Sequence, residues 1–334
     1  MASKQPILLT GAAGFIGFHL AQRLLAGGHA VVGFDGVNAY YPTLIKERRL
    51  AQLAEAPGFT FVRGELADAA AVEAVFAETR PELVCHLAAQ AGVRHSLRCP
   101  RDYTASNIEG TLNILEGCRH HGVRRLVYAS SSSVYGGNTK VPFSESDPVN
   151  TPISLYAATK RANELMAHSY THLFGFQTVG LRFFTVYGRF GRPDMALWEF
   201  TERILADEPI KVFNHGDMRR DFTHVSDIVA GVEASLLADG LADYELFNLG
   251  NHRSEALLDM IAEIERACGK TARKILLPMQ PGDVPSTYAD VDHAADKLGF
   301  APRTPISVGV PDFVAWYKSE PEIAAAAKAW RLAQ

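Results

Sequence analysis

Tyr156 and Lys160 stand four residues apart in a segment with helical periodicity. That spacing puts a phenol and an ammonium on one face of a helix. A neighbouring positive charge favours phenolate and draws its pKa down from about 10 towards working pH. Tyr156 then becomes a usable base for a hydroxyl group. Many helices carry such a pair by chance, so a second signal is needed. Tyr128-Ala129-Ser130-Ser131-Ser132-Ser133-Val134-Tyr135-Gly136 supplies it, placing hydroxyls just beyond an apolar strand. In open α/β sheets ligands bind at that edge. The competing reading is a polar loop of low complexity, weakened because a polar cluster following an apolar strand needs partners.

A third group lies near the start. Thr10-Gly11-Ala12-Ala13-Gly14-Phe15-Ile16-Gly17 follows an apolar strand and opens a helix. Glycine permits a tight turn and close approach to a phosphate, and the helix N-terminus offers free N–H groups and a positive dipole end. Asp35 ends the second strand, where a carboxylate accepts from both hydroxyls of an adenosine ribose and repels a 2′-phosphate. NAD is therefore expected rather than NADP. Glu65 and Leu66 after the third strand border the adenine in this reading, although Glu65 fits an exposed loop acid equally well. Arg48 and Arg49 are expected to face solvent from a helix.

The elements that must position these groups alternate. Ile7–Leu9, Ala30–Phe34, Phe59–Val62, Leu83–His86 and Arg125–Tyr128 read as buried strands. Continuous hydrophobicity suits a parallel sheet covered on both faces. Phe15–Ala26, Leu44–Ala54, Ala69–Glu78, Tyr103–His121 and Ser154–Phe174 read as helices, and Gln177–Phe184 as another strand. The fold class is α/β, a doubly wound parallel sheet with a smaller mixed lobe. Residues 1–180 are expected to form the cofactor domain and 181–334 the second lobe, with about 222–250 returning to the first. Ile323–Ala333 reads as a terminal helix able to fray.

The whole chain agrees with this plan. Its 334 residues suit one large α/β unit with an added lobe, and 47% apolar with 21% charged residues is ordinary for a packed core. A net charge of −4 argues against a nucleic-acid or membrane-surface partner. Cys85, Cys99, Cys118 and Cys268 are dispersed, without a C-x-x-C pair, which points to a reducing compartment. With no leader and no apolar stretch of membrane-span length, a cytoplasmic protein is expected. His168 and His172 have metal-pair spacing but no evident third ligand, so no metal is expected.

These groups together resemble the extended short-chain dehydrogenase/reductases that act on nucleotide sugars. Asp35-Gly36-Val37-Asn38-Ala39-Tyr40-Tyr41, His86-Leu87-Ala88-Ala89-Gln90-Ala91-Gly92-Val93-Arg94, Arg182–Gly188, Gly191–Met195 and Arg219–Thr223 narrow the resemblance to the UDP-glucuronate 4-epimerases. It runs from about residue 6 to 300. Gly36, Ala39, Glu65 and Ser226 depart from it, where Asn, Asp, Asp and Asp would be typical.

The resemblance implies that Gly11, Gly14, Phe15, Ile16, Gly17, Asp35, Asn38, Glu65, Leu66, Leu87, Ala88, Ala89, Gln90, Tyr156 and Lys160 hold NAD. It implies a UDP-sugar held by Arg94, Ser131, Ser132, Ser133, Tyr156, Thr185, Arg192, Arg220 and Asp283, with Tyr156, Lys160 and Ser131 catalytic. The implied reaction oxidises the sugar at C4, turns the 4-keto sugar over and reduces its other face. A homodimer through Tyr103–His121 and Ser154–Phe174 is also implied. Ser132 and Ser133 stand where related dehydratases and decarboxylases carry acids, and a serine is a poor proton abstractor without an activating partner. Epimerisation of neutral UDP-hexoses, decarboxylation of UDP-glucuronate and non-catalytic NAD binding are the alternatives.

Overall fold

A computed structural model describes residues 5–280 and 284–334. In the first half strands and helices alternate as β1 (Ile7–Thr10), α1 (Phe15–Ala26), β2 (Val31–Asp35), α2 (Thr43–Ala54), β3 (Phe59–Arg63), α3 (Ala69–Thr79) and β4 (Leu83–His86). Then come α4 (Val93–Arg98), α5 (Pro100–Tyr103), a π-helical turn (Thr104–Glu109), α6 (Gly110–His120), β5 (Arg125–Ser131), α7 (Leu155–Phe174) and β6 (Gln177–Phe183). The second half is more broken: β7 (Thr185–Tyr187), α8 (Ala196–Leu205), β8 (Ile210–Val212), β9 (Arg219–Arg220), β10 (Phe222–His224), α9 (Val225–Leu237), β11 (Tyr244–Leu249) and β12 (Glu255–Ala256). It ends in α10 (Leu257–Cys268), β13 (Lys274–Leu276), α11 (Asp292–Leu298), α12 (Ile306–Ser319) and α13 (Pro321–Leu332).

Seven parallel strands form one sheet in the order β11-β6-β5-β4-β1-β2-β3. The order reverses between β1 and β4, and a crevice opens at the carboxyl ends of strands at such a point. Thr10 lies in register with His86 there. The apolar strands are buried on both faces, as in β1, where every residue is buried. Two core clusters, one led by Leu9, Val127 and Leu181 and one by Leu8, Val84 and Leu126, lie on opposite faces, because alternate strand residues point opposite ways. The strand expected to be buried at Phe59–Val62 is instead half-exposed, because β3 is the sheet edge and pairs only with β2.

Three two-stranded pieces, β7 with β10, β8 with β13 and β9 with β12, form separate small sheets in the chain's second half. The segment expected as one helix from Tyr103 to His121 carries the π turn at Thr104–Glu109, a local widening common at functional sites. The terminal helix does not stand free. Ile323 and Ala327 are buried, Lys328 meets Glu208 at 3.0 Å, and Arg331 pairs with Glu202. Arg48 on α2 pairs with Glu322, so α13 clasps both halves of the chain. All four cysteines are free thiols, and Cys85, Cys118 and Cys268 are buried.

Candidate active site

The first βα turn is built by backbone crowding. Gly11 has φ +78°, and a Cβ there would come within 2.7 Å of the Ala88 nitrogen. A Cβ on Gly14 would come within 2.9 Å of the Gly11 carbonyl oxygen, and one on Gly17 would collide with the same oxygen. Gly14 caps α1 without any side-chain hydrogen bond, and the first turn holds no acid, so its N–H groups face an open cleft. Asp35 is held rigidly: the Ala13 N–H donates to one carboxylate oxygen at 3.1 Å and the Val37 N–H to the other at 2.7 Å. Each oxygen keeps a lone pair for a ribose hydroxyl. These features fit a dinucleotide: an uncapped helix end for the pyrophosphate, and a fixed acceptor for the adenosine ribose.

The cleft of about 260 Å³ above this turn is lined by every residue expected to hold NAD, from Gly11 through Asp35, Asn38, Glu65 and Gln90 to Tyr156 and Lys160. A second cavity of about 1190 Å³ adjoins it, lined by Arg94, Ser131, Ser132, Ser133, Thr185, Arg192 and Arg220. Ser131 and Tyr156 line both. Asp283 lies outside the described residues.

Ser130 and Ser131 belong to β5 itself, correcting their expected place beyond the strand. Ser131 donates to the Ser133 hydroxyl at 3.1 Å and accepts the Ser133 N–H at 3.2 Å. Ser130 turns the other way and donates to Glu164 at 2.6 Å. Glu164 is buried and takes both ends of the Arg182 guanidinium at 2.9 Å, so β5, α7 and β6 are pinned beneath the serines.

Lys160 is buried, and its ammonium donates to the Ala129 carbonyl at 2.9 Å. Burial pushes its pKa down to about 8. The expected direction for Tyr156 is corrected: burial pushes its phenol up, and the opposing pulls come from the Ser131 hydroxyl and the Arg192 guanidinium. The reason is orientation, since Lys160 is aimed at the β5 backbone. Arg192 itself forms a double hydrogen bond with Asp194 at 2.9 and 2.8 Å, and Tyr40 donates to the same acid at 3.0 Å. Arg94 stacks on Phe213 at 5.4 Å, and Arg220 donates to the carbonyls of Arg219 and Pro285 at 2.8 and 3.2 Å.

Several participants had no role assigned from the sequence. His86 is buried between the Thr10 hydroxyl at 2.7 Å and the Thr111 hydroxyl at 3.2 Å; burial, reinforced by Lys160, pushes its pKa down to about 3. Asn107, in the π turn, holds the Gln90 backbone in both directions at 2.8 and 3.0 Å and donates to Thr159 at 3.1 Å. Asn163 donates to the Asn107 carbonyl at 2.6 Å. Arg49, expected to face solvent, is fully buried: it donates to the Ala13 carbonyl and the Tyr41 hydroxyl at 2.7 Å and to the Phe190 carbonyl at 2.5 Å. The glycine turn leaves Ala13's carbonyl inside, and a guanidinium has the donors to satisfy it.

His168 packs edge-on against Tyr244 at 4.9 Å. His95, Cys99 and Asp102 bring ligand atoms within 4.8 Å of one another. Arg94, Arg98 and Arg101 occupy the same turns, and their field opposes a divalent cation.

A seven-stranded doubly wound sheet with a glycine cradle, a ribose-directed acid and a Tyr156/Lys160 helix defines an extended short-chain dehydrogenase/reductase. Residues 7–250 match the model of the NAD dependent epimerase/dehydratase family, and the chain belongs to that family. Protein CapI of Staphylococcus aureus is 49% identical over 327 residues, covering 93% of this chain and 98% of the relative. A protein of Rhizobium meliloti named probable UDP-glucuronate 4-epimerase is 43% identical, covering 93% and 96%. The crystal structure of UDP-glucuronic acid 4-epimerase from Bacillus cereus, in complex with UDP-glucuronic acid and NAD, superposes with a TM-score of 0.89 at 34% identity, covering 94% and 99%.

Proposed function

We propose that the protein is an NAD-dependent UDP-glucuronate 4-epimerase, interconverting UDP-glucuronate and UDP-galacturonate. The observation that carries this reading is the shared wall: Ser131 and Tyr156 border the cofactor cleft and the larger cavity at once. NAD, held by the glycine turn, Asp35 and Lys160, would supply a reversible acceptor for the hydride of the sugar C4. Tyr156 takes the proton from the 4-hydroxyl and returns it to the 4-oxygen after the keto sugar has turned over. Ser131 hydrogen-bonds that oxygen and pulls the phenol pKa down. Lys160 keeps a positive charge beneath the cleft and binds the nicotinamide ribose. Asp35 accepts from the adenosine ribose.

Ser132, Ser133 and Thr185 offer neutral donors to the uronate carboxylate, while Arg94, Arg192 and Arg220 face the diphosphate. Holding the carboxylate near the ring plane suppresses its loss from the keto sugar. Replacing Ser133 by Glu or Ser132 by Asp is expected to release carbon dioxide from UDP-glucuronate; unchanged product would refute the protective role. The division of labour runs between residues 1–180, with about 222–250 added, and the remainder.

The reading extends to a cytoplasmic homodimer built on α6 and α7. Among the described residues no helix is long and apolar enough to cross a membrane, and Leu112, Leu165 and Leu173 are exposed on those two helices. Light scattering across concentrations tests the dimer. The reaction is tested by feeding UDP-glucuronate without added NAD and analysing the products. UDP-galacturonate is expected; conversion of UDP-glucose alone would establish the neutral-sugar alternative.

A further inference from the structure

Two departures from the family pattern meet in space. Gly36 follows Asp35 at the carboxyl end of β2, and Glu65 follows β3, the neighbouring strand. A Cβ built on Gly36 would lie 2.7 Å from one carboxylate oxygen of Glu65 and closer still to the other oxygen and to Cδ. The longer acid therefore occupies the volume that a side chain at position 36 would fill. Both residues line the cofactor cleft beside Asp35.

We infer that Glu65, seated in the space left by Gly36, is a second carboxylate that sets cofactor choice, acting with Asp35 to reject a 2′-phosphate. The inference rests on the NAD reading above. Two negative charges at one end of the cleft oppose a third group bearing up to two more. Lys46 is the cation beside them, and its electrostatic environment includes both Asp35 and Glu65. Two of its three donors are committed to Asn38, to the carbonyl at 2.8 Å and the side-chain oxygen at 2.9 Å, which leaves it one donor for any phosphate against the two carboxylates. Asp35 is clamped by backbone N–H groups, whereas the position of Glu65 depends on the missing Cβ. The atoms such a Cβ would strike are the far end of a flexible side chain, so a substitution at Gly36 displaces the carboxylate without breaking the fold.

The test uses full-length protein cleared of nucleotide and calorimetric titration with NAD and with NADP. Four proteins are compared: the parent, Glu65→Gln, Gly36→Ala and the double variant. Glu65→Gln is expected to lower the ratio of NADP to NAD dissociation constants about tenfold. Gly36→Ala is expected to lower it in the same direction by about threefold, with a melting temperature close to the parent's. In the double variant the alanine is expected to add nothing to the glutamine effect, since the charge it displaces is gone. An unchanged ratio in Glu65→Gln overturns the inference, as does an alanine effect that persists in full beside glutamine. A parent that binds no NAD overturns the cofactor reading and this inference with it.

Discussion

Tyr156 is where the residue scale is most exposed to test. Its phenol is pushed up by burial and pulled back by Ser131 and Arg192. Tyr156→Phe removes the proton acceptor and leaves the cleft intact, so turnover is expected to fall by about a thousandfold or more while NAD stays bound. Product analysis and the nucleotide released on denaturation measure the two effects separately. His86 makes a prediction about pH. Its folded pKa of about 3 lies below the ordinary 6.5, so the fold favours the neutral ring. The corresponding stability is complete above pH 6.5 and is lost progressively as pH falls towards 3. His86→Asn is expected to flatten that acid limb, read as denaturation midpoint against pH; a limb as steep as the parent's would refute it. Residue types and spacing made Tyr156, Lys160, Gly11 and Asp35 legible, since each belongs to a local pattern. The roles of His86, Asn107 and Arg49 were not, because each depends on partners 17 to 141 residues away that no local spacing brings together.

At the scale of elements, the glycine turn and the π turn do the positioning. A Cβ on Gly17 would strike the Gly11 carbonyl, which is backbone and cannot swing aside. Gly17→Ala is therefore expected to cost about 2 kcal/mol or more and to strip the bound cofactor, both visible in one melting experiment with and without NAD. The π turn aims Asn107 at the Gln90 backbone. Asn107→Ala leaves that buried loop unpartnered, at about 1–3 kcal/mol, and is expected to weaken NAD retention more than it alters the sugar's affinity. Helix and strand periodicity located the strands and the longer helices of the first half, and left out α4 and most of α5. The π turn leaves no separate mark because its residues keep a helical pattern, and β3 reads as buried because an edge strand can carry the same short apolar run as a central one.

Over the whole molecule, the Glu164–Arg182 pair ties the sheet to α7 and, through Tyr135 and Asn248, to β11. Arg182→Leu leaves the buried Glu164 to depend on Arg161, at 2.9 Å, for its countercharge, which is expected to cost about 1–3 kcal/mol. Chemical denaturation checks this; a loss below about 1 kcal/mol would show that the pair is dispensable. The second half was the least legible part of the chain because its strands, β11 apart, are two or three residues long and pair at long range. Ile210 joins Lys274, and Arg220 joins Glu255. Those same pairings set an order in time. The first 35 residues already contain the glycine turn and Asp35, whereas the far wall closes only when the partners of β8 and β9 have been synthesised. A growing chain thus carries the residues that meet the nucleotide's adenosine end long before those that enclose the larger cavity.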